Sequence, residues 1–164
     1  MRRPAIALLS AVLAVTAVVV PTSAEADGAP PKRIVSGWIP YWMSSPSSPG
    51  GVTSLVQNAD LLTDVSPFWY SAVAKSGGGV QVKFNANFGN GAANAAWAMG
   101  QLKAAGIPVL PAIADSSGKG RMAATLANPG LRAAHVADIV NLVVSNGYDG
   151  IDLDYEGFAF TDGS

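Results

Sequence analysis

Cysteine is absent from this 164-residue sequence, and histidine occurs once, at His135. Without thiols there can be no disulfide framework and no Cys-ligated zinc site. A single imidazole cannot anchor a His-rich metal centre or supply a Ser-His-Asp triad alone, and His135 reads as an ordinary helix residue. Charge is also scarce: charged side chains make up 13% of the chain, and the formal net charge is −1. With no basic excess, the electrostatic footprint of a nucleic-acid partner is missing. No Gly-x-Gly-x-x-Gly follows a strand candidate, so a doubly wound nucleotide-binding sheet has little support. Short tandem repeats and low-complexity domains are lacking too. No cofactor is implied.

One long apolar run is present, and it lies at the start. Arg2 and Arg3 form a basic lead, residues 5–20 are almost wholly apolar, and Pro21-Thr22-Ser23-Ala24-Glu25-Ala26 follows. This is the pattern of a secretory signal peptide, with cleavage after Ala24 or Ala26. The run is shorter than the ~20 residues that span a bilayer, so a signal peptide over residues 1–26 is expected and not a stable membrane anchor. Arg2-Arg3 hints at a twin-arginine route, with a poor match around it. Residues 27–32 read as a flexible lead-in, and residues 33–164 as the folded part of a secreted, extracellular protein.

From residue 33 onward, strand and helix signals alternate. Residues 33–41 form the first strand candidate, 52–59 a short helix and 62–73 a second strand, with Pro67 forcing an irregularity inside it. Ser76-Gly77-Gly78-Gly79 is a turn, and 80–84 pairs back as a hairpin arm. Residues 92–105 form a helix ended by Gly106, and 107–113 an apolar strand of the buried parallel kind. A short helix over 122–126 precedes a longer one over 131–145, whose apolar stripe is Val136, Ile139, Val140 and Val143. The fourth strand then follows the turn at Gly147. Such alternation implies a parallel sheet with right-handed crossovers.

Chemistry concentrates in Asp149-Gly150-Ile151-Asp152-Leu153-Asp154-Tyr155-Glu156-Gly157. On a strand Asp152, Asp154 and Glu156 leave one face, and Ile151, Leu153 and Tyr155 the other. Successive acids on that face stand roughly 6.5–7 Å apart, so like charges interact strongly wherever water is excluded. A metal would relieve the repulsion, but a calcium loop beginning at Asp152 needs a bidentate Glu where Gly163 stands. A solvated acidic edge strand is the plain structural alternative. Proton sharing fits better: one carboxyl raises the pKa of its neighbour, and a Glu held protonated near neutral pH is a general acid.

Asp149-Gly150-Ile151-Asp152-Leu153-Asp154-Tyr155-Glu156 resembles the Asp-Gly-x-Asp-x-Asp-x-Glu signature of family 18 glycoside hydrolases, the chitinase-like enzymes. The resemblance implies an α/β fold, a (β/α)8 TIM barrel, with this strand as its fourth. It implies that Glu156 protonates the glycosidic oxygen, that Asp154 orients the substrate's N-acetyl group and trades a proton with Glu156, and that Asp152 supports Asp154 from deeper in the barrel. The implied partner is a chitin- or peptidoglycan-type polysaccharide, cut at β-1,4 bonds beside N-acetylglucosamine.

Aromatic residues close the first two strands: Trp38, Tyr41 and Trp42, then Phe68, Trp69 and Tyr70. Strand C-terminal ends form the active face of such a barrel, where flat rings stack on sugars; core packing is the alternative for Trp38, Phe68 and Trp69. The family carries aromatics at both ends, which implies that Trp38, Tyr41 and Trp69 face substrate. Tyr155 stands where the family commonly has Trp and is counted with them on the cleft floor. Gly157 replaces a common Tyr, and Ala112-Ile113-Ala114-Asp115 replaces a Ser-x-Gly-Gly motif.

A full barrel takes ~250 residues. Only its first four βα units are expected here, as the front half of a longer gene product or a truncated gene, inactive as a fragment. The competing expectations are a non-catalytic, lectin-like glycan-binding barrel and a gene remnant unable to fold.

Overall fold

The computed structural model describes residues 33–157. The expected signal peptide and lead-in, and the residues from 158 on, lie outside the described residues. In chain order the elements are β1 (Ser36–Pro40), α1 (Gly50–Gln57), β2 (Asp64–Ala74), β3 (Val80–Phe84), α2 (Gly91–Ala104), β4 (Ala112–Asp115), α3 (Arg121–Ala127), α4 (Pro129–Asn146) and β5 (Asp152–Asp154), with short 3-10 turns at Tyr41–Met43 and Ala59–Leu61.

The sheet runs β1-β2-β4-β5, and every neighbouring pair along that path is parallel. β3 is the exception, antiparallel to β2 through the Gly-rich turn. The mixed α/β architecture and the hairpin arm are therefore as the sequence pattern implies. Parallel pairing puts the C-terminal ends of β1, β2, β4 and β5 along one edge, with Tyr41 and Trp42 just past β1 and Glu156 just past β5; Phe68, Trp69 and Tyr70 lie inside β2, which runs on to Ala74, and do not close it.

The irregularity expected at Pro67 is present and has a definite geometry. Val65 exchanges backbone bonds with the β4 side, its N–H to Pro108 at 2.9 Å and its carbonyl from Leu110 at 2.8 Å. Backbone bonding direction alternates along a strand, so Pro67 turns its missing N–H toward that same side. The ladder breaks there. The strand expected over 107–113 becomes an isolated bridge at Val109 and a regular strand only from Ala112. Register then shifts between Phe68 and Tyr70. This extra residue has a packing consequence: Phe68 points to the face shared by Trp38 and the acids, whereas both Trp69 and Tyr70 enter the core.

The core lies between the sheet and its helices. Ile39, Val65 and Ile113 meet Val52 of α1, Ala95, Ala98 and Leu102 of α2, and Met122 of α3. The buried positions of α2 recur at helical spacing, and its small alanines let the helix sit close to the strands.

α4 corrects the sequence reading. Its buried or half-buried side chains are Leu131, His135, Ile139, Leu142 and Val143, whereas Val136 and Val140 are exposed, as are Val144 and, on β5, Leu153. The helix is rotated by about one position from the expected stripe. The helix also begins at Pro129, two residues before the expected start at 131. Asn128 caps it, its side-chain oxygen accepting from Gly130 N at 3.0 Å and Leu131 N at 3.1 Å, with Pro129 in the first turn, where its missing N–H costs nothing. Gly147 ends it in the left-handed conformation (φ 62°), which only glycine adopts freely. Among the described residues no helix is long and apolar enough to cross a membrane.

Candidate active site

The turn that delivers the acidic strand is pinned from three directions. Asp149 Oδ2 accepts from Val109 N at 2.9 Å, and Asp149 N donates to the Val109 carbonyl at 3.0 Å. Lys103 Nζ donates to the Gly147 carbonyl at 2.7 Å. The Tyr148 and Tyr70 hydroxyls share a buried hydrogen bond of 2.7 Å. Burial drives the pKa of both phenols up, so both stay protonated. A Cβ at Gly150 would stand 3.1 Å from Leu110 Cγ, which explains glycine there by close approach. Asp149-Gly150 thus has a structural task, fastening the turn beside β4.

Beyond the turn, β5 pairs in register with β4: Asp152 with Ala112, Leu153 with Ile113, Asp154 with Ala114. In-register parallel neighbours share a face. Asp152 and Asp154 therefore stand on the face of Ala112 and Ala114, and through Phe68 on the face of Trp38. The strand ends at Asp154. Glu156 is exposed and opens a helical turn with Gly157 at the strand's C-terminal end.

Crowding on this face acts on Asp152. Burial and then the Asp154 charge push its carboxyl up from the usual range; Asp64 adds to this, and a hydrogen bond with Ser66 opposes it. A carboxyl whose folded pKa is raised stabilises the fold fully below its unfolded value of about 3.9 and loses that contribution as pH rises through the folded value. Ionised Asp152 is therefore a net cost at neutral pH. Asp152→Asn, whose amide can still bond Ser66, should raise the melting temperature at pH 7 by a few degrees, and the difference should vanish near pH 3. Thermal melts of the two proteins across that range check it; a lower melting temperature at pH 7 would contradict this arrangement. Among the described residues no group of three or more His, Asp or Glu could hold a metal ion.

The aromatic residues separate into two sets. Trp38, 51% exposed, stacks on Phe68 at 5.6 Å, and Tyr41, half-buried, meets Phe68 at 6.0 Å. Trp42, 55% exposed, packs edge-on against Tyr41 at 4.8 Å. These rings form a cluster at the C-terminal end of β1. Trp42 is not among the residues expected to face substrate, although it belongs to the aromatic run after β1. The signal was available: residues following a strand end point into loops, where a Trp is not committed to the core.

Trp69 belongs to the other set. It is 0% exposed, its indole N–H donates to Ser44 Oγ at 3.0 Å, and its ring stacks on Phe88 at 6.1 Å. It presents no face to a ligand, because the register shift beside Pro67 turns it inward. Tyr155 is corrected likewise. It leaves β5 on the face opposite Asp152 and Asp154 and packs on the core. Its hydroxyl lies 2.7 Å from His135 Nε2, with the rings stacked at 5.9 Å. Alternation along the strand had placed Tyr155 there; its placement on the cleft floor came from the resemblance alone.

His135 is accordingly more than a surface helix residue. It is 2% exposed, and its Nδ1 is buried without a hydrogen-bond partner among the described residues. A buried N–H without an acceptor costs more than a bare lone pair. The favoured neutral tautomer therefore carries its proton on Nε2 and donates it to Tyr155. Burial lowers the His135 pKa, with Asp138 and Asp115 acting in the opposite sense. Burial, and then the Asp115 charge, push the Tyr155 phenol up to about 12. Asp115 itself accepts from the N–H and hydroxyl of Ser117 at 2.9 and 2.6 Å.

No protein-family model matches this sequence, and no curated protein does.

Proposed function

We propose that residues 33–157 form the acid-bearing part of a secreted glycoside hydrolase of the family 18 type, its sheet belonging to a (β/α)8 barrel. The observation that carries this reading is a juxtaposition. Asp152 and Asp154 share the face of the exposed Trp38 and of Phe68, and Glu156 just past β5 and the exposed Trp42 just past β1 follow the C-terminal ends of their parallel strands. Carboxyls beside flat apolar rings suit a neutral polysaccharide: the rings bind without charge, and the acids act on the bond.

In the proposed reaction the substrate supplies the nucleophile, as in the substrate-assisted exceptions to the two-carboxylate scheme. The acetamido oxygen of an N-acetylglucosamine unit attacks the anomeric carbon as Glu156 gives its proton to the leaving oxygen. Asp154 orients the acetamido group, and Asp152, held by Ser66, supports Asp154. Glu156 then takes a proton from water, which opens the oxazolinium intermediate with overall retention of configuration. The substrate is chitin- or peptidoglycan-type glycan.

The direct test is turnover of a fluorogenic chito-oligosaccharide by the product of the complete reading frame. Release of the fluorophore supports hydrolysis. A glycan-binding protein without catalysis is the second reading, favoured by the exposure of Trp38 and Trp42; retention on chitin beads with no turnover would establish it instead.

A further inference from the structure

We propose that His135 is a positioning residue for Glu156, acting through its hydrogen bond to the hydroxyl of Tyr155. This rests on the reading of Glu156 as the catalytic acid.

The need for such a device follows from the strand itself. β5 has only three residues and is paired on one side, to β4, among the described residues. Leu153, which would anchor its helix-facing side, is half exposed. The ladder ends at the pairing of Asp154 with Ala114. Glu156 comes two residues later and is exposed, so the strand register alone does not hold it. Tyr155 is the residue between the last ladder pair and the acid, and its side chain runs to the opposite face. There it meets a stacked, buried imidazole at hydrogen-bond distance. Holding Tyr155 fixes the peptide from which Glu156 departs.

The energetic cost accepted at His135 points the same way. An imidazole placed only to fill space would be replaced without loss by an apolar side chain of similar volume, which leaves no buried polar atom unpaired. Here Nδ1 is buried without a partner, while Nε2 is spent on Tyr155. The polar groups facing the pair are Asp138 from α4 and Asp115 from β4. α4 is in turn fixed at both ends, by the Asn128 cap and by the Gly147 terminus that Lys103 holds. The imidazole therefore stands on a rigid helix, the arrangement a supporting residue requires.

The test compares four variants of the complete reading-frame product: Tyr155→Phe, His135→Ala, His135→Gln and Ile139→Val. Tyr155→Phe keeps the ring and removes the hydroxyl. His135→Gln keeps a donor near the position of Nε2. Ile139→Val thins the same helix face and leaves both partners of the bond in place. Three quantities are read: kcat and KM on the fluorogenic chito-oligosaccharide, the backbone order parameter of Glu156 by NMR, and the melting temperature.

Tyr155→Phe and His135→Ala should lower kcat by about 10- to 100-fold with KM nearly unchanged, since small misplacement of a reacting group costs this much. Both should lower the backbone order parameter of Glu156, and His135→Gln should restore much of each. Ile139→Val should lower the melting temperature alone. The proposal is overturned if Tyr155→Phe and His135→Ala behave like Ile139→Val in kcat and order parameter. If His135→Ala does not fold, Tyr155→Phe decides. If the wild-type protein hydrolyses nothing, the hydrolase reading has failed, and the order parameter judges the positioning: a drop in Tyr155→Phe sustains it, and no drop overturns it.

Discussion

Glu156→Gln should reduce hydrolysis of a chito-oligosaccharide by about 10²–10⁴-fold while leaving its binding nearly intact. The magnitude is that of removing a positioned general acid. Gln is close to Glu in shape and keeps a hydrogen-bond donor, but it cannot give up a proton to the leaving oxygen. The loss should fall on kcat, since the proton is transferred only in the transition state. On the proposed reading KM and retention on chitin should depend on rings that the substitution does not touch, Trp38 within β1 and Trp42 just past it. Asp154→Asn should also lower kcat, through a misoriented acetamido group and an altered proton partner. Steady-state kinetics of both variants, with binding measured separately, check the assignment. Near-full activity of Glu156→Gln would remove Glu156 from the acid role. Loss of binding together with loss of rate would mean that the exposed carboxylate contacts the glycan in the ground state.

What the sequence revealed and what it hid divide along a physical line. Local signals were legible. The Gly-rich turn, the hairpin arm, the alternation of strand and helix, and the shared face of Asp152 and Asp154 follow from turn chemistry and period-2 geometry, which depend on near neighbours. The rotation of α4 was not legible, because apolar residues occur on both of its sides. Val136 and Val140 match Ile139 and Val143 in hydropathy, and only packing against α3, β3 and Tyr155 decides which pair is covered. The burial of a histidine on that helix runs against residue preference. It is explained by Tyr155, a partner twenty positions away whose distance no local pattern encodes. Pro67 gave a correct warning of irregularity. Its consequence, two successive aromatic residues turned into the core, needed the register of β4.

Trp69→Ala should cost about 3–5 kcal/mol of stability, the range for emptying a large aromatic site in a packed core. The ring is fully buried, stacks on Phe88 and approaches Tyr148 at 6.2 Å. Its removal would leave a void where β2, the turn before β5 and the segment after β3 converge. A second, smaller loss should appear in Trp69→Phe. The indole N–H donates to Ser44 Oγ, and that hydroxyl donates to the Tyr41 carbonyl at 3.1 Å. Phe keeps most of the volume but breaks this relay, at about 1 kcal/mol. The relay reaches the backbone of Tyr41, so Trp69 supports the exposed aromatic cluster from beneath without touching a ligand. Trp38→Ala should give the reverse pattern: little change in unfolding free energy, because the ring is half exposed, and a clear loss of retention on chitin. Urea denaturation of the three variants, read alongside chitin-bead retention, separates the two tryptophans. Should Trp69→Ala keep its stability and lose only glycan retention, Trp69 would belong on the binding face, as the family resemblance implied, and the inward turn of β2 at Pro67 would have to be abandoned.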